Sequence, residues 1–281
     1  MEGRRWFGPR TAHSLCLGLL IALGCVGSLS GQGIQFDLPS SEQYRVVSES
    51  IGNQRVDLVY PLPMESSPRA AVVFVFGFPD GATSFGPLID YEFYRDWARV
   101  VTTKGLVGVL YSTTDPVSDL RDVVDFIDSE GPRLGIDAGR VALWSGSANV
   151  PTALHYVRSE PGRTPHALVV YYGLMPTPDG FQAEALQTGS SRSGFALPAY
   201  APDDSYPEDL PILVVRAGRD ASAPLLASID HFVEYALAEN LRVRLLNYPE
   251  GQHSFDSRDD TEETRAVITE TLAFLSRHLK N

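Results

Sequence analysis

A serine, an aspartate and a histidine each follow an apolar run in this chain, and together they have the chemistry of a nucleophilic site. Ser147 lies where the apolar run 141–144 gives way to small residues and then to a helix-like stretch. A hydroxyl is a weak nucleophile at neutral pH, so it needs a base to accept its proton and an acid to orient that base. Ser147 is therefore a candidate nucleophile, although a strand end followed by a helix cap would explain the same segment.

The neighbours of Ser147 indicate a sharp turn between strand and helix. Bulky side chains two residues before or after such a serine would collide with the adjoining strand and helix, so these turns usually read G-x-S-x-G. Here the two flanking positions hold Ser145 and Asn149. Serine is a small substitute, and asparagine tolerates unusual backbone angles. We therefore predict a strained turn at Ser147, with the larger departure from the pattern at Asn149.

Candidates for the base and the acid follow in the chain. His253 lies in a turn between the β-rich run 241–248 and the last helix, whereas the other histidines fall in the N-terminal segment, in helix-like stretches or at a strand start. Asp220 follows the apolar run 211–217, which is long enough for a buried parallel strand. Asp220 alone would equally fit a helix cap. The order Ser147, Asp220, His253, each after a separate strand, favours a triad.

The elements that must position these residues alternate between strand and helix. This alternation predicts an α/β fold, a three-layer sandwich whose mostly parallel central sheet carries helices on both faces. The predicted strands are 44–48, 54–60, 71–76, 106–111, the run before Ser147, 166–171, 211–217 and 241–248. The predicted helices are 91–103, 117–130, 148–158, 223–239 and 262–279.

Short motifs in this order give the chain a resemblance to the α/β-hydrolases, most closely to the dienelactone hydrolase and prolyl-oligopeptidase-like branch. The motifs are Gly-Ile-Asp at 135–137, Ser-Ala at 147–148, Tyr-Tyr-Gly at 171–173, Gly-Arg-Asp at 218–220 and His-Ser-Phe at 253–255. The resemblance covers residues 55–281. It implies the α/β-hydrolase fold, with Ser147 as nucleophile, His253 as general base and then acid, and Asp220 as the group that orients the imidazole.

Acyl transfer by such a site also requires an oxyanion hole of backbone N–H groups. One donor is expected from Ala148, directly after the serine. The second is expected from Phe78, in the loop that follows the apolar run 71–76. This loop resembles the His-Gly-Phe-Pro segment of many α/β-hydrolases, with Phe76 in place of the histidine, although its glycines and proline would also fit an ordinary turn.

Composition narrows the classes of function. A chain of 281 residues, 43% of them hydrophobic, has the size of one substantial α/β domain, and its formal charge of −12 argues against nucleic acid as a partner. Both cysteines, Cys16 and Cys25, precede the predicted domain, which excludes a thiol nucleophile there. Three aspartates follow His253 within seven residues, but no second histidine lies nearby. We therefore expect neither a metal site nor a cofactor.

The N-terminal segment has the pattern of an export signal. Basic residues precede an apolar span at 15–26 that is too short and too rich in small residues for a membrane helix. We predict a signal at residues 1–30 and a periplasmic or secreted domain at 31–281. Residues 23–25 alternatively resemble the end of a bacterial lipoprotein signal, which would place a lipid anchor on Cys25.

The connection 174–210, between the serine and the acid, is longer than an ordinary turn and rich in Pro, Gly, Ser and Ala. It fits either a cap over the site or a surface loop, and its aromatic residues either line an acyl pocket or pack the loop down. They are Phe181, Phe195, Tyr200 and Tyr206.

Three functions remain open from the sequence. The first is a serine hydrolase that cleaves carboxylic esters of a small-molecule acyl substrate through an acyl-enzyme. The second is a peptidase of the prolyl-oligopeptidase type, and the third is a non-catalytic binding protein that retains the fold. The oligomeric state is not indicated.

Overall fold

Apolar runs supply the strands of one sheet in the computed structural model, which describes residues 33–83, 86–178, 195–196, 198 and 205–280. Eight strands lie in the order β1-β2-β4-β3-β5-β6-β7-β8. The first pairings, β1 with β2 and β2 with β4, are antiparallel, and all others are parallel. The strands are β1 Tyr44–Ile51, β2 Gln54–Pro61, β3 Arg69–Phe74, β4 Val107–Tyr111, β5 Ile136–Gly146, β6 Ala167–Tyr171, β7 Ile212–Ala217 and β8 Val243–Tyr248.

Helices cover the sheet on both faces. Every residue of β4 and β6 is buried, which requires a layer above and a layer below the sheet. The described α-helices are α1 Glu92–Thr102, α2 Pro116–Leu134, α3 Val150–Ser159, α4 Ala223–Ala238, α5 Phe255–Arg258 and α6 Glu262–Leu279. This is the three-layer, mostly parallel α/β architecture that the sequence predicts.

The local sequence explains where the elements that lead to Ser147 begin and end. Asp115 caps α2 by accepting hydrogen bonds from the N–H groups of Val117 and Ser118, and Pro116 occupies the first turn, where no backbone donor is needed. Gly135 ends this helix in the left-handed conformation, with φ at 71°. Strand β5 then begins at Ile136, five residues before the run that predicts it, and continues to Gly146.

Two parts of the chain carry predictions that lie outside the described residues. Residues 1–30, with the proposed export signal and Cys25, are one; most of the connection 174–210, with Phe181 and Tyr200, is the other. Within the described ranges, no helix has the length and apolar character needed to cross a membrane.

Candidate active site

A strained serine marks the end of the central strand β5. Ser147 has φ at 57°, in the left-handed region that non-glycine residues rarely adopt, and it begins a short 3-10 turn that leads into α3. The segment after β6 also approaches the turn closely, because a Cβ at Gly173 would lie 2.1 Å from Val150 Cγ2 and 2.8 Å from the Ser147 carbonyl oxygen. The sequence prediction of a strained turn at Ser147 is confirmed.

The structure brings Ser147, His253 and Asp220 into one hydrogen-bonded chain. The Ser147 hydroxyl oxygen lies 2.7 Å from His253 Nε2, and His253 Nδ1 lies 2.5 Å from Asp220 Oδ2. The Asp220 side chain is 3% exposed and the His253 side chain 29% exposed. The carboxylate is thus shielded from water, while the imidazole and the part-exposed serine remain accessible.

Neither capping alternative describes these two residues. Ser147 does not cap α3, because Asn149 occupies the N-cap position and the Ser147 hydroxyl lies against His253. Helix α4 is capped by Ser222, whose hydroxyl accepts a hydrogen bond from the Leu225 N–H. The second oxygen of Asp220 accepts a hydrogen bond of 2.9 Å from the Ser222 N–H, which fixes the orientation of the carboxylate toward the histidine.

The acid and base loops are joined to each other through the backbone. The Gly218 N–H donates to the Tyr248 carbonyl, and the Arg219 N–H donates to the Gly251 carbonyl, each at 2.8 Å. A side chain at Gly218 would lie 2.5 Å from the Pro249 carbonyl oxygen, so only glycine permits this contact. The loops after β7 and β8 therefore hold Asp220 and His253 at a fixed separation.

The loop after β3 lies directly against the serine turn. A side chain at Gly77 would lie 2.8 Å from Asn149 Cα and 2.9 Å from the Ala148 carbonyl oxygen. The Phe78 side chain packs against the cluster that also contacts Ala148. Within the described ranges, neither Phe78 nor Ala148 donates a backbone hydrogen bond. Phe78 and Ala148 thus lie beside the serine turn, and no described residue accepts a hydrogen bond from either N–H group.

Asn149 has a different role from the one the sequence suggests. Its φ and ψ of −82° and −20° are ordinary helical values, so this position does not use the tolerance of asparagine for unusual backbone angles. Instead, its Oδ1 accepts a hydrogen bond of 2.7 Å from the Gly77 N–H, and its Nδ2 donates one of 2.6 Å to the Tyr94 hydroxyl. Asn149 therefore ties the serine turn to the Phe78 loop and to α1.

Phe76 has a structural reason for replacing the histidine of the resembling segment. Its ring is fully buried between Tyr94 and Tyr111, with centroid distances of 4.9 and 5.2 Å. The Phe76 N–H donates to the Tyr111 hydroxyl at 3.1 Å. An aromatic ring there fills the apolar space beneath the loop, while the backbone that leads to Phe78 stays fixed.

An apolar wall borders the serine on the side of Phe78. We define this wall as Phe78, Ala148, Leu174 and Phe195; the rings of Phe78 and Phe195 meet edge to face at 5.8 Å. The Ala196 N–H donates to the Gly77 carbonyl at 2.6 Å and secures this part of the long connection. Tyr206 is the other aromatic residue of that connection that the structure describes. Its ring packs on Phe232 and is not part of the wall.

A buried polar cluster lies behind the imidazole. The Tyr172 ring centroid is 4.9 Å from that of His253, and the Tyr172 hydroxyl donates to Asp256 Oδ1 at 2.5 Å. Trp97 Nε1 donates to Asp256 Oδ2 at 3.0 Å. Burial raises the pKa of Asp256 to about 6, although the two hydrogen bonds oppose the shift. Sequence reasoning weighed Asp256 only as a metal ligand and did not connect it with Tyr172.

The described ranges contain no group of side chains arranged to bind a metal ion. There, no three side chains from His, Cys, Asp and Glu are grouped so that they could hold an ion. The carboxylate of Asp256 is already occupied by its two aromatic donors.

The fold and the serine turn define the class of structure. The chain has the α/β-hydrolase fold: a mostly parallel eight-stranded sheet whose neighbours among solved structures are α/β-hydrolases. No family model matches the sequence, and no curated protein matches it either.

Solved structures, two of them of esterases, share this fold at low sequence identity. A bacterial heroin esterase is 16% identical, with a TM-score of 0.62 over 85% of this chain and 84% of its own. A thermophilic esterase from the planctomycete Thermogutta terrifontis is 17% identical, with a TM-score of 0.63 over 85% of this chain and 94% of its own. The Francisella virulence factor BioJ is 12% identical, with a TM-score of 0.65 over 86% of each chain.

Proposed function

We propose that this protein is a serine hydrolase that cleaves carboxylic esters of small acyl groups. The observation that supports this most strongly is the continuous contact from a strained, part-exposed Ser147 through His253 to the buried Asp220. A serine in a sparsely populated backbone conformation that contacts an oriented imidazole is costly to build and is typical of covalent catalysis. The esterases among the structural neighbours agree with this function.

The proposed reaction has two halves, acylation of Ser147 and hydrolysis of the acyl-enzyme, and His253 transfers protons in both. His253 Nε2 accepts the Ser147 proton as the oxygen attacks the ester carbonyl, and the negative oxygen forms hydrogen bonds with the N–H groups of Phe78 and Ala148. The imidazolium, oriented by Asp220, then gives its proton to the leaving alkoxide, and an acyl-enzyme remains. Water attacks this ester with His253 as base, and proton return to Ser147 releases the acid.

The apolar wall supports a small acyl group as substrate. Leu174 and Phe195 are both almost completely buried, and with Phe78 they occupy the space beside Ala148 where an acyl chain would extend. We also propose that the protein is closest in kind to the dienelactone hydrolase-like branch. The support is the order of the short motifs at 135–137, 147–148, 171–173, 218–220 and 253–255 in the sequence, while the serine distinguishes the chain from members that use cysteine.

We further propose that the protein is exported. The support is the order of basic residues and then the apolar span at 15–26 in the sequence. Mass spectrometry of the processed protein distinguishes a soluble form that begins near Gly31 from one that carries a lipid on Cys25.

The test is hydrolysis of p-nitrophenyl esters, from acetate to octanoate, by the processed protein and by its Ser147→Ala variant. Ser145→Ala is the matched control, since Ser145 is fully buried two residues away and its hydroxyl has no hydrogen-bond partner in the described ranges. We expect Ser147→Ala to lower kcat by about 10³-fold or more, and the control to stay close to wild type.

A fluorophosphonate probe separates the remaining functions. Labelling of the wild type and of Ser145→Ala, but not of Ser147→Ala, supports serine chemistry. Hydrolysis of peptide anilides in preference to esters would replace the ester assignment with a peptidase. Absence of both labelling and hydrolysis would overturn the proposal in favour of a binding protein.

A further inference from the structure

The imidazole of His253 has a further neighbour besides Ser147 and Asp220, the aromatic ring of Tyr172. The Tyr172 side chain is almost completely buried, and its ring lies against the imidazole at 4.9 Å between centroids, tilted by 58°. Tyr172 follows β6 with φ at 31°, an unusual value for a bulky residue. Its backbone N–H donates to the Val215 carbonyl of β7 at 2.7 Å, which fixes this conformation.

The hydroxyl of Tyr172 is aimed at a carboxylate that belongs to the histidine segment itself. Asp256 is three residues after His253, is fully buried, and accepts hydrogen bonds from Tyr172 at 2.5 Å and from Trp97 at 3.0 Å. No lysine or arginine in the described part of the chain is ion-paired with it. The carboxylate is thus held by two neutral donors, without a permanent positive partner.

Among the titratable groups that face Asp256, one can carry a positive charge. The titratable side chains around it are Tyr94 of α1, Tyr171 and Tyr172 at the end of β6, and His253 on its own segment. Burial raises the pKa values of all three tyrosines well above the ordinary value of 10, so they are neutral in the working range of pH. Of these groups, only the imidazole of His253 becomes a cation.

We infer that Tyr172 and Asp256 are positioning residues for His253: the tyrosine ring holds the imidazole in line with Ser147, and the buried carboxylate stabilises the imidazolium that forms during the reaction. This inference rests on the proposed function. Asp220 contacts the imidazole directly, whereas Asp256 acts through Tyr172 and through space. In a water-poor surrounding a nearby negative charge has a substantial effect on an imidazolium.

Two conservative variants and one matched control test this inference. Tyr172→Phe keeps the ring and removes the hydroxyl, and Asp256→Asn keeps the shape and removes the charge. Tyr171→Phe is the control, because Tyr171 is also fully buried and, among the described residues, its hydroxyl forms a hydrogen bond with Thr271 at 2.5 Å and none with Asp256. The readouts are kcat and KM for p-nitrophenyl acetate, the pH profile, and the imidazole titration of His253 followed by NMR.

Tyr172→Phe and Asp256→Asn are expected to differ from the wild type in kcat and not in KM. Tyr172→Phe should lower kcat about fivefold and Asp256→Asn about tenfold, with KM within about twofold of wild type, since a group that acts on the imidazolium affects the transition state. In Asp256→Asn, the acid limb of kcat/KM should move to lower pH, because the variant lacks a negative charge that favours the imidazolium. Tyr171→Phe should change none of these values.

Equal behaviour of Tyr172→Phe and Tyr171→Phe in kcat and in pH profile overturns the inference, because the link from Asp256 through the Tyr172 hydroxyl to His253 would then have no effect. If Asp256→Asn does not fold, Tyr172→Phe decides alone. In that variant the Asp256 carboxylate keeps its charge and its Trp97 donor but loses its link to the ring beside His253. Failure of the proposed function is distinguishable, because it removes the difference between wild type and Ser147→Ala. The NMR titration of His253 reads the effect of Asp256 without any turnover.

Discussion

Replacement of Asn149 is the most informative perturbation of the link between the serine turn and the Phe78 loop. Asn149→Ala removes an acceptor from the Gly77 N–H and a donor to the Tyr94 hydroxyl, both at buried positions. The Gly77 N–H is then left without its partner and close to the backbone of residue 149. The loop must shift or take in water, and Phe78 shifts with it.

The expected magnitude follows from these two contacts. A buried donor left unsatisfied costs about 1–3 kcal/mol, and the lost bond to Tyr94 adds about 1 kcal/mol. We expect Asn149→Ala to lower the free energy of unfolding by about 3 kcal/mol, or the Tm by roughly 6–12 °C for a domain of this size. Displacement of one oxyanion donor should also lower kcat by about 10²-fold.

Thermal unfolding and p-nitrophenyl acetate kinetics measure the two effects. Thr152→Val is the matched control, because Thr152 is buried in the helix that begins directly after Asn149 and its hydroxyl has no hydrogen-bond partner among the described residues. Asn149→Gly restores the G-x-S-x-G glycine at the second flank and should be as impaired as Asn149→Ala. A kcat within twofold of wild type in either Asn149 variant would refute the reasoning.

Two further predictions concern the acyl site and the response to pH. Phe195→Ala should shift the preferred p-nitrophenyl ester from short chains toward butyrate or hexanoate, because it removes one ring of the apolar wall; an unchanged chain-length profile would contradict a boundary there. The pKa of Asp256 is raised from 3.8 to about 6, so its contribution to stability is fully present below pH 3.8 and is lost as pH rises through about 6. Compared with Asp256→Asn, the wild type should therefore gain about 2 kcal/mol in the free energy of unfolding on going from pH 8 to pH 4, measured by denaturant unfolding, and a constant difference between the two would argue against the shift.

The sequence predicts the strands and the order of the polar groups because both depend on short segments. Short apolar runs mark the buried strands, and parallel strands place the residues that follow them at one edge of the sheet. Ser147, Asp220 and His253 can therefore be found by position alone. The short helix Phe255–Arg258 is not predicted, since four residues carry no helical period.

The contacts that support these groups could not be predicted in the same way. The bond between Gly77 and Asn149 joins residues 72 positions apart, and the bond between Tyr172 and Asp256 joins residues 84 positions apart. Neither pair has a local pattern, and each depends on how two loops approach each other in the finished sheet. One signal was present for Asn149: a polar side chain at a position that must be buried needs hydrogen-bond partners.

The backbone bonds between the turn after β7 and the loop after β8 bear on how this protein can be recombined with others of its fold. The backbone N–H groups of Gly218 and Arg219 form hydrogen bonds with the carbonyls of Tyr248 and Gly251. The loops that carry the acid and the base should therefore come from the same parent protein. A crossover between residues 222 and 243 would combine loops from different parents and lose the complementarity at Gly218. A crossover in the connection before β7 keeps the pair together, and the connection is therefore the natural boundary for building chimeras.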